Sequence, residues 1–136
     1  KINSEDFLED GITVKEVIEI AHMLEDHGMD AIEMSGGTFE SGKFIPSRVG
    51  TSKSEEREVY YRKAAEAFKK ELKIPLILVG GFLSFDVAAE VIASWLADCV
   101  ACNKCFSTLS TKEALHCAVE KKSKEQRNGH QETGNP

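Results

Sequence analysis

Two short apolar runs, each ending in a pair of glycines, limit what this chain can fold into. Asp30–Ser35 carries Ala31, Ile32 and Met34 and leads into Gly36-Gly37, and Ile74-Pro75-Leu76-Ile77-Leu78-Val79 leads into Gly80-Gly81. Strands that are apolar on both faces belong inside a covered sheet, which parallel sheets provide. Between them lie stretches of helical period. Val14, Val17, Ile18, Ala21 and Leu24 form one apolar stripe. It starts at a capping box, Thr13 with Glu16 three residues on, and stops at Gly28. A second helix is expected from about Ser54 to Lys73. Glu55 and Glu56 stand at its start and Lys69, Lys70 and Lys73 at its end, and Glu58–Arg62 and Glu66–Lys70 form two i,i+4 pairs. Ser84 is expected to cap a third, with Ala88, Val91, Ile92, Trp95 and Leu96 on one face. Strands alternating with amphipathic helices give an α/β architecture with a parallel sheet. The units read as consecutive pieces of a (β/α)8 barrel, a fold of about 250 residues.

Charge narrows the partners. Lys plus Arg number 17 against 23 Asp plus Glu in 136 residues, a net charge of -6, with no basic footprint for nucleic acid or an anionic membrane. The apolar runs fall far short of the ~20 residues of a membrane span. No basic n-region or apolar h-region precedes Glu5, and the opening Lys1-Ile2-Asn3 reads like the middle of something larger. The expected setting is cytoplasmic.

The pattern breaks after residue 96. Cys99-Val-Ala-Cys102-Asn-Lys-Cys105 is followed by Cys117, so four soft thiolates fall within nineteen positions. Such a set suits an iron–sulfur cluster or zinc, with a Cys99–Cys102 redox dithiol or four unliganded cysteines as the alternatives. Residues 121–136 contain no aliphatic side chain and are expected to be disordered. The organisation is therefore 1–96 partial barrel, 97–120 cysteine-cluster segment and 121–136 disordered tail.

Other polar residues have plainer readings. Glu33, inside an apolar strand, is expected to be a barrel-interior residue bonded to a neighbour, or else a buried carboxylate with a raised pKa. Lys43 and Arg48 read as solvated loop charges, with an anionic ligand as the alternative. Gly36-Gly37 is expected simply to end its strand. His22 reads as a surface residue, and His116, beside Cys117, is the histidine placed to assist a metal. Trp95, Tyr60 and Tyr61 are expected to pack against helices.

The order of these pieces resembles the C-terminal part of the old yellow enzyme family, the FMN-dependent NAD(P)H oxidoreductases that include the 2,4-dienoyl-CoA reductase type. The resemblance is carried by KINSEDF, the unit after it, DAIEMSGGTFESG with a loop ending PSR, and IPLILVGG with its helix. It covers residues 1–96 and implies a partial TIM (β/α)8 barrel lacking the N-terminal half. It places Lys1 against the flavin ring and Gly80 and Gly81 at the FMN phosphate. The phosphate role agrees with side-chain-free amides at a strand end before a helix. The cysteine run resembles the segment after the barrel in the iron–sulfur branch, which implies Cys99, Cys102, Cys105 and Cys117 as cluster ligands, with zinc second. Where the family has a last barrel strand, Ala97-Asp98 passes straight into the cysteines, so that strand reads as absent.

The function implied is hydride transfer through flavin to an electron-poor alkene-type acceptor. The family's upstream catalytic residues are not among these 136, so catalysis by them alone is not expected. The implied partners are FMN, NAD(P)H and either a second copy or a complementary barrel part. A small iron–sulfur or zinc module and a non-enzymatic self-associating half-barrel are the other two readings.

Overall fold

Thr13 and Glu16 close the expected reciprocal cap. The Thr13 amide donates to Glu16 Oε2 at 2.9 Å, and the Glu16 amide to Thr13 Oγ1 at 3.4 Å. Helix α1 then runs Val14–Asp26 with Val17 and Ala21 buried. Its end is a Schellman turn: Gly28 takes φ +83°, its amide donates to the Glu25 carbonyl, and the Met29 amide reaches the Leu24 carbonyl. The computed structural model describes residues 1–46 and 58–101.

Along the chain follow β1 (Ile2–Asn3), α1, β2 (Ile32–Ser35), a 3-10 turn (Gly42–Phe44), α2 (Arg62–Glu71), β3 (Leu76–Val79), α3 (Phe85–Ala93) and β4 (Cys99–Ala101). The four strands form one parallel sheet in the order β1-β2-β3-β4. Ile32, Met34, Leu76 and Leu78 lie buried in one core with Val17 and Ala21 of α1, Ala64, Ala65 and Phe68 of α2, and Val87, Ala88 and Val91 of α3. The alternate residues Glu33, Ser35, Ile77 and Val79 are half-buried on the face away from the helices. This α/β sheet bears out a partial barrel. Among the described residues no helix is long and apolar enough to cross a membrane.

Three expectations are corrected. Helix α2 begins at Arg62. Glu58 lies outside it, so it forms no i,i+4 pair with Arg62. Its buried carboxylate is claimed instead by backbone amides at the start of α3. Ser84 stands at the N-cap of α3 but makes no side-chain cap, because its hydroxyl donates to Glu58. Trp95 lies past the end of α3 at φ +61° and is 49% exposed, so it does not share the packed face with Ala88 and Val91.

The last-strand expectation is corrected as well. Cys99–Ala101 pairs with β3 in the register Ile77↔Cys99, Leu78↔Val100 and Val79↔Ala101. Asp98 makes this pairing possible. Its Oδ2 accepts from the Leu76 amide at 2.8 Å and from Lys69 Nζ at 2.7 Å, and its own amide donates to the Leu76 carbonyl. A single carboxylate thus fastens β4 to β3 and both to α2. Cys102, Cys105, Cys117, His116, Arg48 and the proposed tail lie outside the described residues.

Glu25 does the same for β3 from α1, its Oε1 accepting from the Lys73 and Ile74 amides at 2.8 and 2.9 Å. The Lys73 amide, then that of Ile74, holds the Glu25 carboxyl below its ordinary 4.5, and the Thr13 amide and hydroxyl do so for Glu16. A lowered folded-state pKa gives stability that is fully present above the ordinary value and is lost as pH falls through the lowered one. Urea midpoints are therefore expected to fall as pH drops below 4.5, and Glu25→Gln is expected to flatten part of that fall. Asp98→Ala is expected to cost about 2–3 kcal/mol in urea denaturation and to release the Leu76 amide to hydrogen exchange.

Candidate functional site

Parallel barrels place their sites at the C-terminal ends of the strands. Here that end carries Ser4 and Glu5 after β1, Gly36-Gly37 after β2 and Gly80-Gly81 after β3. Gly37, Gly80 and Gly81 take φ of +76°, +123° and +78°, where a side chain is strained. Close packing demands glycine too. A Cβ on Gly36 would stand 2.6 Å from Tyr61 Cε1 and from Ser4 Oγ. On Gly80 it would stand 2.5 Å from Tyr61 Cε2, and on Gly81 2.5 Å from Tyr60 Cε1.

The tyrosines pack in the helix-lined core, as expected, and also line the glycine loops. Tyr61 is buried, and its hydroxyl donates to the Gly36 carbonyl at 2.5 Å while its ring lies along Gly80. The Tyr60 amide donates to the Gly80 carbonyl at 3.3 Å, and its ring covers Gly81. The two rings meet edge to face at 6.1 Å. Phe7 continues the group, stacked on Phe44 at 4.7 Å and tilted to Tyr61 at 6.3 Å. Three loops of the C-terminal end are thus joined by aromatic contacts. Gly36-Gly37 does more than end a strand. Gly36 admits Tyr61, and the Gly37 amide and carbonyl bond the Glu5 carbonyl and Asn3 Nδ2.

At the start of α3, Glu58 Oε2 accepts from the amides of Leu83 at 2.8 Å and Ser84 at 3.0 Å, and the Ser84 hydroxyl donates to Oε1 at 3.0 Å. Glu58 is only 6% exposed. The amides at the start of α3 are therefore occupied by a carboxylate of the chain itself. The rings of Tyr61 and Tyr60 lie against Gly80 and Gly81, and the Gly80 carbonyl accepts from the Tyr60 amide.

Lys1 lies directly across from Glu33, its Nζ 2.7 Å from Oε1. Glu33 is thus the bonded residue of its two expected roles. The pair lies on the face away from the helices, where Ile77 and Cys99 continue the row across β3 and β4. Lys1 and the glycine pair belong to the same sheet at different levels along the strands. Lys43 places its Nζ 5.0 Å over the Phe44 ring, and His22 lies near Glu25 and Glu71 on the helix side. Cys99 is exposed in β4, and the other three cysteines lie outside the described residues. Among the described residues no group of three or more His, Cys, Asp or Glu is arranged for a metal.

Glu58 was the functional-end residue that helical periodicity hid. No local signal marks it, because Glu55 to Lys73 keeps a consistent helical charge order. Tyr61→Phe, which strands the Gly36 carbonyl, is expected to cost about 1–2 kcal/mol in urea denaturation, and Gly80→Ala about 2 kcal/mol or more.

No family model matches the chain. It is 35% identical over 101 residues to an NADH oxidase of Thermoanaerobacter brockii, covering 74% of this chain and 15% of that protein. It is 33% identical over 109 residues to an NADH-dependent flavin oxidoreductase of Neonectria sp. (strain DH2), covering 73% and 14%. Among solved structures it matches a 2-naphthoyl-CoA reductase in complex with 2-naphthoyl-CoA at TM-score 0.59 and 29% identity, covering 73% of this chain and 14% of that one. The chain spans about 15% of the length of the first of these curated relatives. Over that partial region, the chain belongs to the old yellow enzyme-like family of NADH-dependent flavin oxidoreductases.

Proposed function

We propose that the described residues are the C-terminal-side strands of an FMN-dependent NAD(P)H oxidoreductase barrel. The Gly80-Gly81 loop carries this reading: two amides free of their own side chains, at the end of a parallel strand, in the sequence context the family uses for the FMN phosphate. The names of the curated relatives support it.

The flavin, when bound, supplies the hydride relay between NAD(P)H and an electron-poor alkene-type acceptor. The chain's own part is to bind and orient. The Gly80 and Gly81 amides receive the phosphate. Lys1, held by Glu33, brings positive charge to the inner face for the flavin ring. Cys99, Cys102, Cys105 and Cys117 supply four thiolates to an iron–sulfur cluster, with zinc as the second choice. A reducing cytoplasm suits four such thiolates. The 136 residues do not turn over alone. They work with a complementary barrel part that covers β1 and β4, the border strands among the described residues.

A visible absorption spectrum of the chain, purified without oxygen and then mixed with FMN, tests both cofactor assignments. The expected result is a set of flavin bands altered by binding and lost in Gly81→Ala, plus a broad brown absorbance lost in Cys102→Ser. Brown absorbance without flavin binding would replace this reading with a small cluster-binding module. A colourless protein that leaves the FMN spectrum unchanged would overturn both assignments.

A further inference from the structure

A helix start collects unsatisfied amides and the positive end of the helix dipole, so it draws whatever anion is at hand. At the start of α3 that anion is internal. Glu58 reaches it from the segment before α2, twenty-five residues upstream of Leu83, and binds two amides and one hydroxyl at 2.8 to 3.0 Å. The arrangement is built rather than incidental. Glu58 is more than nine-tenths buried, Val59 beside it holds φ +57°, which is strained for a β-branched residue, and Tyr60 and Tyr61 pin the same segment to Gly80, Gly81 and Gly36. Charge-assisted bonds of this kind are among the stronger ones a carboxylate makes.

We propose that Glu58 is a positioning residue that decides where an anion sits at the end of β3: by holding the Leu83 and Ser84 amides itself, it closes the start of α3 and leaves the Gly80-Gly81 amides to receive a phosphate group. The second half rests on the phosphate reading of the glycine pair. The first half stands on the Glu58 geometry alone. The position has a further effect. A second negative charge at the same helix end would meet the Glu58 carboxylate at contact distance, so phosphate is both denied donors there and repelled. Selectivity for one end of a short loop thus comes from a side chain that never touches the ligand.

The test is a titration of the full 15N-labelled chain with inorganic phosphate, followed amide by amide. In the native sequence, phosphate is expected to shift the Gly80 and Gly81 signals and leave Leu83 and Ser84 unmoved. In Glu58→Ala it is expected to shift Leu83 and Ser84 as well. Glu58→Gln keeps a side-chain oxygen for one amide and so protects the fold. It is expected to show the same phosphate response at smaller amplitude. A role limited to stability would lower the denaturation midpoint of both variants without bringing phosphate to these two amides. Phosphate shifts at Leu83 and Ser84 in the native chain, or none there in both variants, would overturn the proposal. Gly80 and Gly81 signals that ignore phosphate in the native chain would instead overturn the glycine reading, and the Leu83 and Ser84 response would still decide the case of Glu58.

Discussion

Carboxylates bonded to backbone amides hold this sheet in register. Asp6 takes the amide of Ile12, Glu16 that of Thr13, Glu25 those of Lys73 and Ile74, Asp98 that of Leu76, and Glu58 those of Leu83 and Ser84. Each bond falls where an element begins or is about to begin, at amides that neither helix nor ladder supplies with a partner. The strands are two to four residues long, too short for ladder bonds and apolar contact to fix their ends unaided. These carboxylates therefore serve the fold as well as its solubility, Glu58 from inside the core and Glu16 from the surface. Such ties also support β4 with its three residues: Asp98, just before it, holds the chain against Leu76 beside the ladder bonds.

This accounts for what could be read from the sequence and what could not. The helix starting at Thr13, its glycine stop and the two glycine-ended strands were legible because their signals are local, a cap four residues long or an apolar run of six. The start of α2 was not. Glu55 to Lys73 has a consistent helical charge order, and nothing within it announces that Glu58 bonds to residues twenty-five positions away. Strand β4 was hidden for the same reason, since Cys99-Val-Ala has little strand character of its own and acquires it from Asp98 and the edge of β3. At the site, the glycines were visible as glycines. What their missing side chains make room for was not, because Tyr60 and Tyr61 read equally well as helix residues.

The inner face of the sheet has two characters. Lys1, Asn3, Glu33 and Ser35 on β1 and β2 are polar and mutually bonded, with Lys1 paired to Glu33 and the Ser35 hydroxyl donating to Asn3. Ile77, Val79, Cys99 and Ala101 on β3 and β4 are apolar or weakly polar. Anything lying across this face meets hydrogen-bonding groups on one side and a smooth hydrocarbon surface on the other.

The strand order repeats the order of the sequence, with each new strand laid against the one made just before it. Each strand still pairs across a connection of about 20 to 45 residues, and among the described residues no strand is inserted between two earlier ones. In chain order, each βα unit therefore lies on the row before it and offers an edge to its successor. Among the described residues the two border rows, β1 and β4, both keep an edge of this kind. Evolution can lengthen, shorten or splice a protein of this kind at either border while the middle rows keep their register.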